Sequence, residues 1–114
     1  MAQLTTAIAE ASVLAAAQGL KPELIFDALA ENPALNCGYF SLKKNNILKH
    51  DFSPAFPLKH MLKDARFMLA EAAARKVSLP VTAAVEGLLA KSYNSGYGDK
   101  DLSAVLLNLE ETIG

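Results

Sequence analysis

Apolar residues recur along this chain with the spacing of α-helices, and no segment alternates between apolar and polar residues as a half-buried strand does. The first such segment, residues 2–18, is rich in alanine and contains neither glycine nor proline. Its apolar stripe consists of Leu4, Ile8, Ala11 and Ala15. Gly19 follows where a helix commonly ends in a left-handed residue. The pattern predicts an all-α fold.

Glycine and proline divide the rest of the chain into further segments of helical spacing. Five or six helices are expected in all, the later ones over residues 23–29, 58–76, 82–93 and 102–111. Residues 34–47 are weaker, because Gly38 and a run of polar residues interrupt the apolar spacing. Residues 51–57 form a loop fixed by two prolines, and residues 95–98 a turn. Asp99 or Asp101 is expected to cap the last helix.

Length and composition limit what the protein can be. The 114 residues suit one domain, and the 52% hydrophobic content exceeds that of a disordered chain. A net charge of -1 offers no field for nucleic acid, which is therefore not an expected partner. The single cysteine, Cys37, cannot form an internal disulfide, and no cluster has metal-ligand spacing.

The sequence shows no targeting or membrane-spanning segment. The first residues lack a basic stretch, and no apolar run approaches the ~18 residues of a spanning helix. These observations predict a cytoplasmic protein that contacts no membrane.

The helix expected from residue 58 carries two distinct faces. Its core face consists of Leu58, Met61, Leu62, Ala65, Met68, Leu69 and Ala72. The second face carries His60, Asp64 and Phe67. If the helical phase extends back to Phe56, the Phe56 ring lies about 20° around the helix axis from Lys63. Two interpretations stay open: a contact with a subunit or domain, in which the charges are ordinary surface groups, or the lining of a ligand cleft.

The segment around this helix resembles a known family. Residues 51–64, DFSPAFPLKHMLKD, are similar to a segment of the β-hydroxyacid dehydrogenases, which include 3-hydroxyisobutyrate dehydrogenase, and within them to the glyoxylate/succinic semialdehyde reductases. Ala9-Glu10-Ala11, Leu79-Pro80-Val81 and the run GYGDKDLSA at residues 96–104 agree in order and spacing.

The resemblance implies one domain of a larger enzyme. Members have an N-terminal Rossmann domain that binds NADP or NAD, then a helical domain of the 6-phosphogluconate dehydrogenase C-terminal type. Residues 1–114 resemble the second, the substrate and dimerisation domain. The family's general-acid lysine and the asparagine four residues on correspond to positions before Met1, and Lys21 cannot substitute for that lysine. We therefore expect no catalytic residue in this chain, no activity from it alone and no tight cofactor binding.

Three residues take roles that the resemblance implies. Phe56 helps to wall the substrate pocket, Lys63 contacts the cofactor near its nicotinamide end, and Asp64 orients neighbouring polar groups. The substrate is a small aldehyde or keto acid and its hydroxyacid, and the enzyme is a homodimer. We expect a second copy to bury the N-terminal turns of the first helix, by packing or by exchange of helices.

The remaining polar residues have simpler interpretations. His50 is expected to be exposed, His60 solvated or hydrogen-bonded, and Cys37 a partly buried small apolar residue. Lys43, Lys44 and Lys49 are expected to form a solvated basic cluster at a helix end. The alternative function is a stand-alone helical module that self-associates and has no catalytic activity.

Overall fold

A computed structural model describes residues 1–113, which fold into six α-helices joined by turns and loops. They are α1 (Ala2–Ala17), α2 (Glu23–Ala30), α3 (Gly38–Leu48), α4 (Leu58–Ala74), α5 (Pro80–Ser92) and α6 (Val105–Glu110). A π-helical turn, Tyr93–Tyr97, and a 3₁₀ turn, Leu102–Ala104, lie between α5 and α6. Residues 1–113 contain no strand, so the all-α prediction is confirmed.

The core forms where α4 packs along α5 and α1 lies against α3, α5 and α6. Its most buried large apolar side chains are Leu58, Leu89, Leu102 and Val105, each at most 1% exposed. Burying a leucine of this kind stabilises a fold by about 1.5–3 kcal/mol. Leu58 is the first residue of α4 and Leu102 the first of the 3₁₀ turn. The core therefore holds both the start of α4 and the start of the 3₁₀ turn through these two leucines.

Two predicted core stripes are only partly correct. On α1, Ile8 and Ala15 are buried, whereas Leu4 is 42% exposed. Thr6 and Ser12 occupy buried positions because their hydroxyls donate to main-chain carbonyls one turn earlier. On α4, Met68 was expected in the core but is 49% exposed, and it faces a shallow apolar groove instead.

The weakly patterned residues 34–47 contain a regular helix, α3. Its buried positions are Lys43 and Ile47, one turn apart, and Phe40 is partly buried. A lysine therefore occupies a place where the helical pattern requires an apolar residue. Because Lys43 is charged, the apolar spacing typical of an amphipathic helix is interrupted at this inward position.

Helices α1 and α4 end in the same backbone motif. Gly19 follows α1 with φ +79°, and Leu20 N–H donates to Ala15 O over 2.9 Å, as in a Schellman motif. Lys76 follows α4 with φ +58°, and Val77 N–H donates to Ala72 O over 2.8 Å. Glycine adopts this left-handed backbone freely, whereas a lysine is strained there. The predicted end of α1 at Gly19 is confirmed.

None of the helices described in residues 1–113 combines the length and apolar character that crossing a membrane requires.

Replacing Lys76 by glycine is expected to raise the free energy of unfolding by about 0.5–1 kcal/mol, because it removes the left-handed strain. Lys76→Ala removes the same charge but keeps a Cβ, so it should give no comparable gain.

Gly19→Ala should lower stability by about 1 kcal/mol, although an added Cβ meets no atom within 4 Å. Urea unfolding measures all three; equal gains from both Lys76 variants would contradict the strain argument.

Candidate functional site

Phe56 lies on a loop strapped to the segment before α6. Within this loop, residues 52–57, the carbonyl oxygens of Phe52 and Phe56 accept hydrogen bonds from Asp101 N–H and Leu102 N–H, each over 2.9 Å. The next amide, Leu58 N–H, donates to Lys100 O over 2.8 Å. We call residues 52–57 the strap.

The structure confirms the loop predicted over residues 51–57, so Phe56 does not take a helical position. Pro57 has ψ 137°, which is extended backbone, and α4 begins only at Leu58. The helical phase therefore does not reach Phe56, and the 20° separation from Lys63 does not apply. Proline also disfavours helix at the residue before it, which here is Phe56.

A buried carboxylate holds the strap in place. Asp101 is fully buried, and its Oδ1 accepts hydrogen bonds from the main-chain N–H groups of Ala55 and Phe56, each over 3.1 Å. Its Oδ2 accepts from the Ser103 N–H and hydroxyl, so Asp101 caps the 3₁₀ turn. The expectation that Asp99 or Asp101 caps the last helical segment is confirmed for Asp101.

Lys43 completes the Asp101 site and corrects a second expectation. Its Nζ lies 3.0 and 2.9 Å from the two carboxylate oxygens, and its side chain is only 3% exposed. Lys43 is therefore not part of a solvated basic cluster. The spacing of Tyr39, Lys43 and Ile47, four residues apart each, could have placed it on the inward face of α3.

Burial and hydrogen bonding act in opposite directions on this carboxylate. Burial by itself raises the pKa of Asp101, but hydrogen bonds from Ser103, Lys43 and the Phe56 amide outweigh it. The pKa of Asp101 is therefore held below its ordinary value.

A groove of 570 Å³ lies along the exposed side of α4, the helix that the strap leads into. It is lined by Lys59, His60, Leu62, Lys63, Arg66, Phe67 and Tyr93. Phe67 is 62% exposed and Tyr93 50% exposed, which is unusual for aromatic side chains. We call this the α4 groove.

Lys63 is the cation of the α4 groove that is available to a ligand. Lys59 pairs with Asp99 over 2.6 Å, and Arg66 pairs with Glu86 over 3.0 Å. Lys63 pairs with no carboxylate in residues 1–113; its Nζ lies 5.6 Å from the centre of the Phe67 ring. An ammonium beside an aromatic ring can donate to an anionic or carbonyl group of a planar ligand.

Phe56 borders the α4 groove, whereas Asp64 stands apart from it. The partly buried Phe56 ring meets His60, a groove residue, edge to face with 6.4 Å between ring centres. Asp64 is exposed, does not line the groove, and has no side-chain hydrogen bond to another residue of the described chain. The structure thus brings Phe56, His60 and Lys63 to one region of the surface.

The other polar candidates lie elsewhere. His50 is exposed as expected, and its Nε2 lies 2.8 Å from Glu110 on α6. Cys37 is partly buried, also as expected. Residues 1–113 contain no group of three His, Cys, Asp or Glu side chains that could hold a metal ion.

Comparisons with known proteins place this architecture among dehydrogenases. The family profile described as NAD-binding of NADP-dependent 3-hydroxyisobutyrate dehydrogenase matches residues 1–109. The chain is 38% identical to glyoxylate/succinic semialdehyde reductase 1 of Arabidopsis thaliana, covering 93% of this chain and 36% of that protein. It is 36% identical to the cytokine-like nuclear factor N-PAC of Anopheles gambiae, covering 86% of this chain and 17% of that protein.

A solved structure agrees with these matches. The crystal structure of 3-hydroxyisobutyrate dehydrogenase from Salmonella typhimurium superposes with a TM-score of 0.86 at 26% identity, covering 94% of this chain and 37% of that one. The chain therefore spans little more than a third of that structure and of the Arabidopsis reductase. Together the matches confirm the resemblance drawn from the sequence.

Acid is expected to destabilise the protein through Asp101. Because its pKa is lower in the folded than in the unfolded chain, its stabilising contribution is complete above the unfolded pKa of about 3.9 and is lost as pH falls through the folded pKa. Asp101→Asn should lower the neutral-pH free energy of unfolding by about 3–5 kcal/mol, since Lys43 loses its partner, and should flatten the acid dependence.

Urea unfolding across this acid range measures the effect. Asp27→Asn, which changes an exposed carboxylate on α2, is the control and should leave the acid dependence unchanged. Parallel acid curves for the unmodified chain and Asp101→Asn would contradict the role assigned to this carboxylate.

Proposed function

Because this chain belongs to the NADP-dependent 3-hydroxyisobutyrate dehydrogenase family, we propose that it is the C-terminal domain of an NAD(P)-dependent oxidoreductase. The proposed reaction interconverts a small aldehyde or keto acid and its hydroxyacid by hydride transfer. The observation that carries the proposal is the α4 groove, in which Lys63 has no carboxylate partner among the described residues and lies beside the exposed Phe67 ring.

Lys63 is proposed to contact the cofactor near its nicotinamide end. The nicotinamide ring is planar and carries a carboxamide, and the adjoining ribose and phosphates offer further acceptors. An ammonium beside the Phe67 ring suits such a group, because Phe67 and Tyr93 offer flat apolar surface in the groove and Lys63 offers the donors. The cofactor, when bound, supplies or accepts the hydride.

Phe56 and Asp64 are proposed to act on the substrate side. Phe56 presents an aromatic wall beside His60, which excludes water from the reacting region and limits the size of the substrate. Asp64 follows Lys63 on α4 and points about 100° away around the helix. Its exposed carboxylate is available to orient polar groups of the partner domain.

Proton transfer is proposed to depend on polypeptide outside this chain. The proposal is that the general-acid lysine of this family corresponds to a position before Met1, on a helix that α1 would continue. Lys21 lies beyond Gly19, after α1 has ended, and is exposed. We therefore propose that residues 1–114 help to bind and orient the cofactor and the substrate, and that turnover requires a Rossmann domain. Residues 1–114 alone are not proposed to hold the cofactor tightly.

A domain fusion tests this function. The N-terminal part of Arabidopsis glyoxylate/succinic semialdehyde reductase 1 that precedes the matched region is joined to this chain, and NADPH oxidation is followed with succinic semialdehyde. We expect turnover from the fusion and none from the chain alone. Lys63→Met should lower kcat/KM by about 10–100-fold, because it removes a charged hydrogen-bond donor.

Lys91→Met, which alters an exposed lysine on α5, is the matched control and should leave kcat/KM unchanged. NADPH oxidation by the rigorously purified chain alone would contradict the proposed division of labour. Equal rates for the Lys63 and Lys91 variants would contradict the assignment of the α4 groove.

We also propose that the chain self-associates. The alternative function is self-association alone, with no catalytic activity. Ala2 and Thr5 are already buried within the chain, so only the outer surface of α1 remains for a second copy. That surface borders an apolar groove of 560 Å³ between α1 and α5. Val81 in this groove is 63% exposed, and Leu14 farther along α1 is 60% exposed. A second copy that covers both would remove this surface from water.

Light scattering after size exclusion tests the dimer. We expect a dimer at high micromolar concentration and a monomer for Val81→Glu, because a carboxylate would lose its hydration in the interface. Leu24→Glu, on α2 and 53% exposed, is the control and should remain dimeric. A monomeric unmodified chain would contradict the proposal.

A further inference from the structure

We propose that Lys43 and Asp101 are positioning residues, which fix Phe56 at the edge of the α4 groove. Neither side chain lines the groove, and both are buried. The inference rests on the proposed function for its catalytic consequence, but its structural part can be tested on this chain alone.

The strap depends on Asp101 for its hydrogen bonds. The N–H groups of Ala55 and Phe56 precede α4 and have no helical acceptor, and both donate to Asp101 Oδ1 over 3.1 Å. The Phe56 carbonyl accepts from Leu102 N–H over 2.9 Å. Because the Phe56 backbone is held on both sides, the direction in which its ring leaves the strap is also fixed. That ring then meets His60 in the groove.

The ammonium of Lys43 compensates the negative charge of the buried Asp101 carboxylate. Its ammonium bonds to both oxygens of Asp101 and lies 5.9 Å from the centre of the Tyr39 ring. The Tyr39 hydroxyl is hydrogen-bonded to the Thr5 hydroxyl over 2.6 Å. The chain of contacts therefore joins α1, α3, the strap and the 3₁₀ turn around one charge pair.

Stability alone does not require this pair. A buried ion pair can often be replaced by apolar residues of similar volume without loss of stability. Apolar residues could not, however, accept the N–H groups of Ala55 and Phe56. The feature specific to Asp101 is thus the acceptor it presents to the strap, and Lys43 allows that acceptor to stay ionised.

Amide hydrogen exchange of the 114-residue chain, resolved by NMR, tests the structural part. In Lys43→Met, exchange at Ala55 and Phe56 should accelerate at least tenfold more than at core amides such as Leu89. The double variant Lys43→Met/Asp101→Leu serves where the single variant does not fold, because it buries no charge yet removes the acceptor. The exposed pair provides the control: Lys59→Met/Asp99→Asn should leave exchange at Ala55 and Phe56 unchanged.

The active fusion tests the catalytic part through a double-mutant cycle. Lys43→Met should raise KM for the aldehyde at least tenfold and leave KM for NADPH within twofold, as should Phe56→Ala. Because Lys43 acts through Phe56, Lys43→Met should add less than twofold in the Phe56→Ala background. A merely structural role would give additive effects on both KM values.

The outcomes separate the two proposals. An inactive fusion that contains the unmodified chain overturns the proposed function, while fast exchange confined to the strap still supports positioning. An active fusion with additive effects overturns the catalytic part of this inference. Exchange that rises uniformly over strap and core overturns its structural part.

Discussion

The ion pair between Lys43 and Asp101 is the interaction on which the geometry of the strap, and with it the edge of the α4 groove, depends. It places a carboxylate inside an otherwise apolar bundle and satisfies it with donors from three separate segments. Breaking a buried pair on one side typically costs about 3–5 kcal/mol, a large share of the 5–15 kcal/mol that stabilises a small domain. One of the segments that meet at Asp101 is the strap, which leads into α4, so this buried carboxylate links the core to the edge of the α4 groove.

The α4 groove illustrates how one helix serves two environments. Leu58 and Leu62 face the core, while Lys63 and Phe67 on the same helix remain exposed. Two neighbouring cations pair with Asp99 and Glu86, whereas Lys63 has no carboxylate partner among residues 1–113. The exposed apolar surface of Phe67 and Tyr93 is costly to leave in water, and a cofactor and a second domain would cover it.

Much of the fold could be predicted because its signals are local. Gly19 ends α1 through its own backbone preference, and the prolines at positions 57 and 80 set the starts of α4 and α5. Residues 34–47 were harder, because Lys43 occupies an inward position whose partner lies 58 residues farther along the chain. No local pattern specifies such a partner. The loop over residues 51–57 and the start of α4 at Leu58 agree with the prediction, so the helical phase does not reach back to Phe56. The hydrogen bonds of this loop to Asp101 and Leu102 could not be predicted, because they join segments far apart in the chain.

The candidate site was found from the family resemblance, and the structure adds its physical basis. Phe56 and Lys63 border one region and Asp64 stands apart from it, and the roles of all three residues stay predictions. The central claim is that the α4 groove forms half of a hydride-transfer site. A crystal structure of the Rossmann fusion with NADP bound tests it most directly. Our account predicts the Lys63 Nζ within about 3 Å of a cofactor atom and the Phe56 ring facing the space in which the substrate meets the nicotinamide. A bound cofactor that leaves both side chains facing solvent would contradict it.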